Sequence, residues 1–280
     1  MADLLKTLLS DRVLLMDGAM GTEIQRAGIR EGECYEAWNL AQPEKIRAIH
    51  TSYVEAGAEV LLANTFGANP TALSRHQQED NLTAIIKAGV ALARGALTRP
   101  GWVLADFGPV GATALNEMGL ILEASRDADG LLLETIAEPA EAEALVSANR
   151  SGLGKPILVS FTFDGRTRRT FRDFTPEHCA QAAAALGVDA LGVNCGRELD
   201  MAGCAEILGQ YQAVTSLPLF ARPNAGTPMG NKYPRSPEEM AAGVQKLLEA
   251  GAAMVGGCCG TTPGHIRAFR GDIDAWNGGT

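Results

Sequence analysis

Positive charge is in short supply in this sequence. Lysine and arginine number 24 against 33 aspartates and glutamates, a net charge of −9. Polyanions are held by clustered cations, so the composition argues against a nucleic-acid partner. The one basic cluster, Arg166 to Arg169, is short, runs into mixed charge and reads as a solvated loop. Long apolar runs are also missing. No stretch approaches the ~18 residues that a membrane span requires. The N-terminal leucines are interrupted by Asp3, Lys6, Asp11 and Arg12, which leaves no signal-peptide core. The expectation is a cytoplasmic protein without a membrane partner. In a reducing compartment its six cysteines are free, metal-bound or catalytic rather than disulfide-linked. Aromatics make up only 5% of residues, whereas alanine, leucine and glycine abound, as suits helices packed closely on strands. No linker or low-complexity segment divides the chain, and a single domain over residues 1–280 is expected.

What the chain does have is rhythm. Short apolar runs recur, each ending in small or polar residues and followed by a longer helical pattern. They begin with Arg12 to Gly21, Glu59 to Gly67, Gly101 to Pro109 and Gly130 to Ile136. They continue with Lys155 to Phe163, Ala190 to Gly196, Leu217 to Gly226 and Ala253 to Gly260. Continuous apolar character marks strands buried on both faces, as in parallel sheets. Between the runs, Pro43 and Gly57 bracket one predicted helix, and Ser236, Pro237 and Gly251 bracket another. Eight strand–helix units in 280 residues predict a single-domain α/β protein of the (β/α)8 TIM-barrel type, with an open doubly wound sheet as the alternative. Active sites in such barrels lie at the C-terminal ends of the strands. The residues of interest are therefore Asp17, Asn64, Thr65, Asp106, Glu134, Asn194, Cys195, Asn224, Cys258 and Cys259.

Three of these are cysteines. Cys195 ends the sixth run, while Cys258 and Cys259 end the eighth. Barrel closure would carry all three to one rim, and converging thiols in a reducing compartment make a zinc site. Adjacent side chains on a strand face opposite ways, so the backbone must leave β geometry for both members of the pair to reach one ion. Gly256, Gly257 and Gly260 are expected to allow that bend. No fourth cysteine or histidine ends a run, so the count predicts three thiolates, one zinc per chain and an open coordination position. Cys34, Cys179 and Cys204 read as core or surface thiols. His50, His76, His178 and His265 fall on or beside predicted helices, where packing or solvation is their expected role. Three thiolates over-neutralise Zn2+, which suits activation of an incoming thiol for alkyl transfer far better than hydrolysis.

The segments "MDGAMGTEIQ", "ANTFGAN", "LLLETI", "GVNCG", "RPNAGTP" and "GGCCGTTPGHI" together resemble the zinc-dependent homocysteine S-methyltransferase family, in order and over nearly the whole chain. Within it they are most similar to the homocysteine-binding barrel of cobalamin-dependent methionine synthases. The resemblance implies zinc on Cys195, Cys258 and Cys259, and transfer of a methyl group to homocysteine to give methionine. It further implies that Asp17 and Glu134 hold the substrate ammonium, that amides around Gly18 and Ala19 take its carboxylate, and that Asn224 contacts the zinc when substrate is absent. The chain ends soon after the Cys–Cys pair, with no folate or cobalamin module. The implied donor is then a methyl-corrinoid carried by another protein, S-methylmethionine or betaine. Tyr35 and Trp38 could line a donor pocket, although packing at the rim is their expected role. The alternatives are methylation of another thiol or selenol, and a homocysteine-binding module of a larger corrinoid complex.

Overall fold

A computed structural model describes residues 4–109, 118–230 and 232–279. Eight strands follow the predicted runs: β1 (Leu14–Leu15), β2 (Val60–Leu62), β3 (Trp102–Phe107), β4 (Gly130–Ile136), β5 (Ile157–Phe161), β6 (Ala190–Asn194), β7 (Leu219–Arg222) and β8 (Ala252–Val255). All ladders are parallel in the order β1-β8-β7-β6-β5-β4-β3-β2, and a bridge between Met16 and Val60 brings the two ends of the sheet together. Helices lie between successive strands, giving the (β/α)8 barrel. The open doubly wound sheet is ruled out, because β1 meets β2 as well as β8.

Alternation along each strand sorts the core into two bodies. Leu14, Val60, Leu62, Trp102, Leu104, Leu132, Leu158, Ala190, Phe220 and Met254 fill the barrel interior. Their neighbours, such as Leu61, Val103, Leu131 and Val159, pack outward against the helices. With a period of two, the next inward position above the interior layer is Asp106 on β3, Glu134 on β4, Ser160 on β5 and Arg222 on β7. The floor of the barrel is hydrocarbon and its upper rim is ionic.

The helix boundaries follow from local chemistry. Pro43–Ala56 starts with proline in its first turn and ends at Gly57, whose φ of 112° needs no Cβ penalty. Ser236 and Glu239 form a reciprocal capping box. The single helix predicted after Ser236 is instead two, Pro237–Ala241 and Val244–Glu249. The interruption falls at Gly243, where an added Cβ would meet the Met201 Cβ at 2.7 Å. No helix among the described residues is long and apolar enough to cross a membrane.

Candidate functional site

The three predicted cysteines do meet. The Sγ atoms of Cys195, Cys258 and Cys259 all lie within 4.8 Å of one another, with 4.0 Å between those of Cys258 and Cys259. A tetrahedral zinc with Zn–S bonds near 2.3 Å places its sulfurs about 3.8 Å apart. A small contraction brings this cluster to that geometry, so the donor set fits zinc. All six cysteines are free thiols, and Cys34, Cys179 and Cys204 lie buried outside the cluster. The Cys258 thiol sits well above its usual pKa, first through its hydrogen bond with Cys195 and then through burial. Three crowded thiols ionise together only if a cation compensates them.

Backbone ties explain why widely separated motifs act as one. Cys258 N–H donates to Pro223 O at 2.9 Å, Ala225 N–H to Cys259 O at 2.9 Å, and Gly257 N–H to Asp17 O at 3.0 Å. The Thr261 hydroxyl donates to Cys258 O and accepts from Ala19 N–H. The ends of β1, β7 and β8 are thus stitched into a single platform. The expected bend has a different cause from backbone freedom at Gly256 and Gly257, since neither is left-handed. What these two supply is space: a Cβ on Gly256 would meet Asp17 O at 2.7 Å, and one on Gly257 would meet Thr261 Oγ1 at 2.3 Å. The left-handed residues beside the sulfurs are Gly260, at φ 82°, Gly196, at φ 93°, and Cys195 itself, at φ 56°.

Asparagines hold the sulfurs. Asn194 accepts from Thr135 N–H and Ser160 Oγ, donates to Thr135 Oγ1, and turns its amide N–H toward Cys258 Sγ at 3.9 Å. Asn224 donates to Cys195 Sγ at 3.4 Å, and its buried Oδ1 has no partner among the described residues. N–H groups aimed at sulfur stabilise thiolate charge and orient the ligand atom.

Beside the sulfurs opens a cavity of 510 Å3. Its walls carry Asp106, Glu134, Arg222, Gly18 and Ala19 in addition to the cysteines. Tyr35 also lines it, whereas Trp38 is buried under the Lys45 ammonium, which lies 4.6 Å from its ring centroid. None of the four histidines reaches the cavity. His50 is buried within its helix, and His265 is bound to Arg235 O and Thr262. The Arg166–Arg169 cluster is solvated and pairs with Glu198, Glu206 and Asp173.

Arg222 is the residue that sequence reasoning passed over. It is 3% exposed, and its Nη1 donates to Glu134 Oε2 at 2.5 Å while Nη2 reaches Asp17 Oδ1 at 3.4 Å and Gly18 O at 3.3 Å. Both acids assigned to the ammonium therefore face a guanidinium of the protein. The signal was present: with Phe220 pointing inward, a period of two turns Arg222 inward as well. Asp17 is completed by Leu62 N–H on Oδ2 at 2.8 Å. Burial pushes its carboxyl up to about 7, with Arg222 pulling the other way.

Between about pH 4 and 7 the folded chain holds a proton on Asp17 that the unfolded chain has released. This group's contribution to stability therefore falls as pH rises through that window. Relative to Asp17→Asn, the wild-type protein is expected to lose on the order of 4 kcal/mol between those limits. Urea midpoints measured at each pH check this, and parallel curves for the two proteins would refute it.

Comparison with known proteins assigns the chain to a family. The sequence profile of the family described as homocysteine S-methyltransferase matches residues 14–273. Methionine synthase of Mycobacterium leprae is 33% identical over an alignment covering 99% of this chain and 26% of that protein. The Mycobacterium tuberculosis methionine synthase is 32% identical, with 93% and 24% covered. The chain thus spans about a quarter of the length of these curated relatives. Among solved structures, the metallated homocysteine methyltransferase MmuM of Escherichia coli superposes with a TM-score of 0.79 at 27% identity, covering 94% of this chain and 97% of that one.

Proposed function

This chain belongs to the homocysteine S-methyltransferase family, and from that premise we propose that it is a zinc-dependent enzyme that methylates the sulfur of homocysteine to give methionine. The observation that carries the proposal is the meeting of Cys195, Cys258 and Cys259 at the edge of an acid-lined cavity. These three residues would hold the metal, and Asn224, which donates to Cys195 Sγ and has an unpartnered Oδ1, would contact it before substrate arrives. Bound there, zinc would lower the pKa of an incoming thiol and leave its sulfur nucleophilic at neutral pH.

The chain's own residues do the rest. The N–H groups of Asn194 and Asn224 hold Cys258 and Cys195 in orientation. Glu134 faces the cavity and Asp17 stands behind Arg222, so the amino-acid end of the substrate enters a negative field suited to an ammonium. Among the described residues the Gly18 N–H has no acceptor, and in this reading it takes the substrate carboxylate. The Ala19 N–H already donates to Thr261 Oγ1 at 3.1 Å and would have to exchange partners to join it. Phe66 and Tyr35 border the cavity and limit access of water. Free thiols at the site suit a reducing cytoplasm.

Homocysteine should bind the zinc-loaded protein with release of a proton. Calorimetry in buffers of different ionisation enthalpy checks this, and a buffer-independent heat would refute thiolate binding.

A second reading has its own support. Because the chain covers only about a quarter of the methionine synthases it matches, it could serve as the homocysteine-binding unit of a larger corrinoid-dependent assembly. A donor screen separates the two readings. Methylcobalamin, S-methylmethionine, betaine and methyl-folate are each supplied with homocysteine and zinc-loaded protein, and methionine is measured. Turnover with a free small donor supports the stand-alone enzyme. Homocysteine binding without turnover supports the module.

A further inference from the structure

We infer that Asp106 is the carboxylate that directly receives the ammonium of the amino-acid substrate, with Asp17 acting on that site only through Arg222. The inference rests on the homocysteine reading and adds a residue to it that determines specificity.

The acids of the rim are unequally satisfied. Asp17 has a donor on each oxygen, Leu62 N–H and Arg222, and does not line the cavity. Glu134 lines it but has one oxygen engaged by Arg222. Asp106 lines it too, is 6% exposed, and its buried Oδ1 meets no donor among the described residues. Its neighbours offer none. Thr65 Oγ1 donates to the Asp106 backbone carbonyl and accepts from the backbone N–H, leaving the carboxylate aside.

Position follows from register. Asp106 pairs with Leu132 across the β3–β4 ladder, so Glu134 lies one inward step further along the adjacent strand. The two side chains share one wall of the barrel mouth. Charge follows from the count. Asp17, Asp106 and Glu134 face a single guanidinium, and an unpaired carboxylate out of water is costly unless a proton or a cation joins it. Burial, with Glu134 second, holds the Asp106 carboxyl well above the ordinary range, as expected for a group awaiting a cation. Both Arg222 terminal nitrogens are committed to Glu134, Asp17 and Gly18 O, leaving only its Nε unpaired among the described residues, so the ligand's ammonium is the cation that would take the place of the proton on Asp106.

The test compares two thiols on zinc-loaded wild type and Asp106→Asn: homocysteine, and 4-mercaptobutanoate, which lacks only the amino group. Calorimetry should show homocysteine binding weakened by about tenfold to a hundredfold in the variant, the worth of a charged hydrogen bond, with 4-mercaptobutanoate changed less than about twofold. The variant should also unfold at a higher urea concentration than wild type, because folding no longer has to bury a charge, or take up a proton, at this carboxyl. Equal weakening of both thiols, or undiminished homocysteine binding, overturns the assignment. Wild-type protein that binds neither thiol would instead overturn the homocysteine reading, and this assignment with it.

Discussion

Cys258→Ser is expected to abolish stoichiometric zinc binding and, with it, methionine formation. Cys258 is the most enclosed of the three sulfurs, lies within 4.8 Å of both others, and receives the Asn194 amide. A serine hydroxyl is a harder donor with a far higher pKa, and its shorter bond to carbon pulls the donor atom back from the cluster. Loss of a supporting hydrogen bond around a metal ligand costs 10- to 100-fold in affinity, so loss of a ligand should exceed about 100-fold. Elemental analysis after dialysis should give about one zinc per wild-type chain and a small fraction of that in the variant, with activity falling in parallel. Cys179→Ala is the control, since Cys179 is buried on helix Pro176–Leu186 away from the cluster. It should keep its full zinc complement. Undiminished zinc in Cys258→Ser would remove the assignment.

Arg222→Met should destabilise the fold by about 3–5 kcal/mol, the cost of stripping one partner from a buried ion pair. The guanidinium is nearly inaccessible and bridges Glu134, Asp17 and Gly18 O. Methionine approximates its volume, so the loss reports charge rather than a cavity. Adding Glu134→Gln should return part of the stability, because the orphaned negative charge is then gone. Arg222→Lys should rescue little, since one ammonium cannot present two nitrogens in a fixed fork to two acids. Urea unfolding of the three variants measures each effect. An Arg222→Met midpoint equal to wild type would show that the acids are satisfied some other way.

The tie between Arg222 and the two acids also bears on selectivity. In the proposed function an ammonium must be preferred at a site where a guanidinium already stands, which requires an acid that the guanidinium does not use. Asp106 is such an acid. A polar rim left partly unpaired is a stability cost of the kind associated with binding sites.

Much of the architecture could be read directly. Seven of the eight apolar runs contain a whole strand and the eighth holds all but the first residue of its own, because segments buried on both faces need continuous hydrocarbon. Strand lengths were less legible. The first run shortens to Leu14–Leu15, with Met16 bridged to Val60 and Gly18, just beyond, lining the cavity. The helix after Ser236 is divided at Gly243, whose close contact is with Met201, far away in the chain. Local pattern carries no trace of such a contact.

The residue types at the strand ends, their order and the pairing of cysteines with glycines were determined by sequence alone, and they sufficed to identify the family and to single out the three thiols that the barrel brings together. Which groups touch was decided only by the tertiary structure. Barrel closure brings Cys195 to Cys258 and Cys259, and inward alternation drives Arg222 between Asp17 and Glu134 while leaving Asp106 Oδ1 without a donor among the described residues. The reason is physical. Composition and periodicity specify which face of a strand is buried, whereas charge pairing inside a barrel depends on the register and stagger of neighbouring strands.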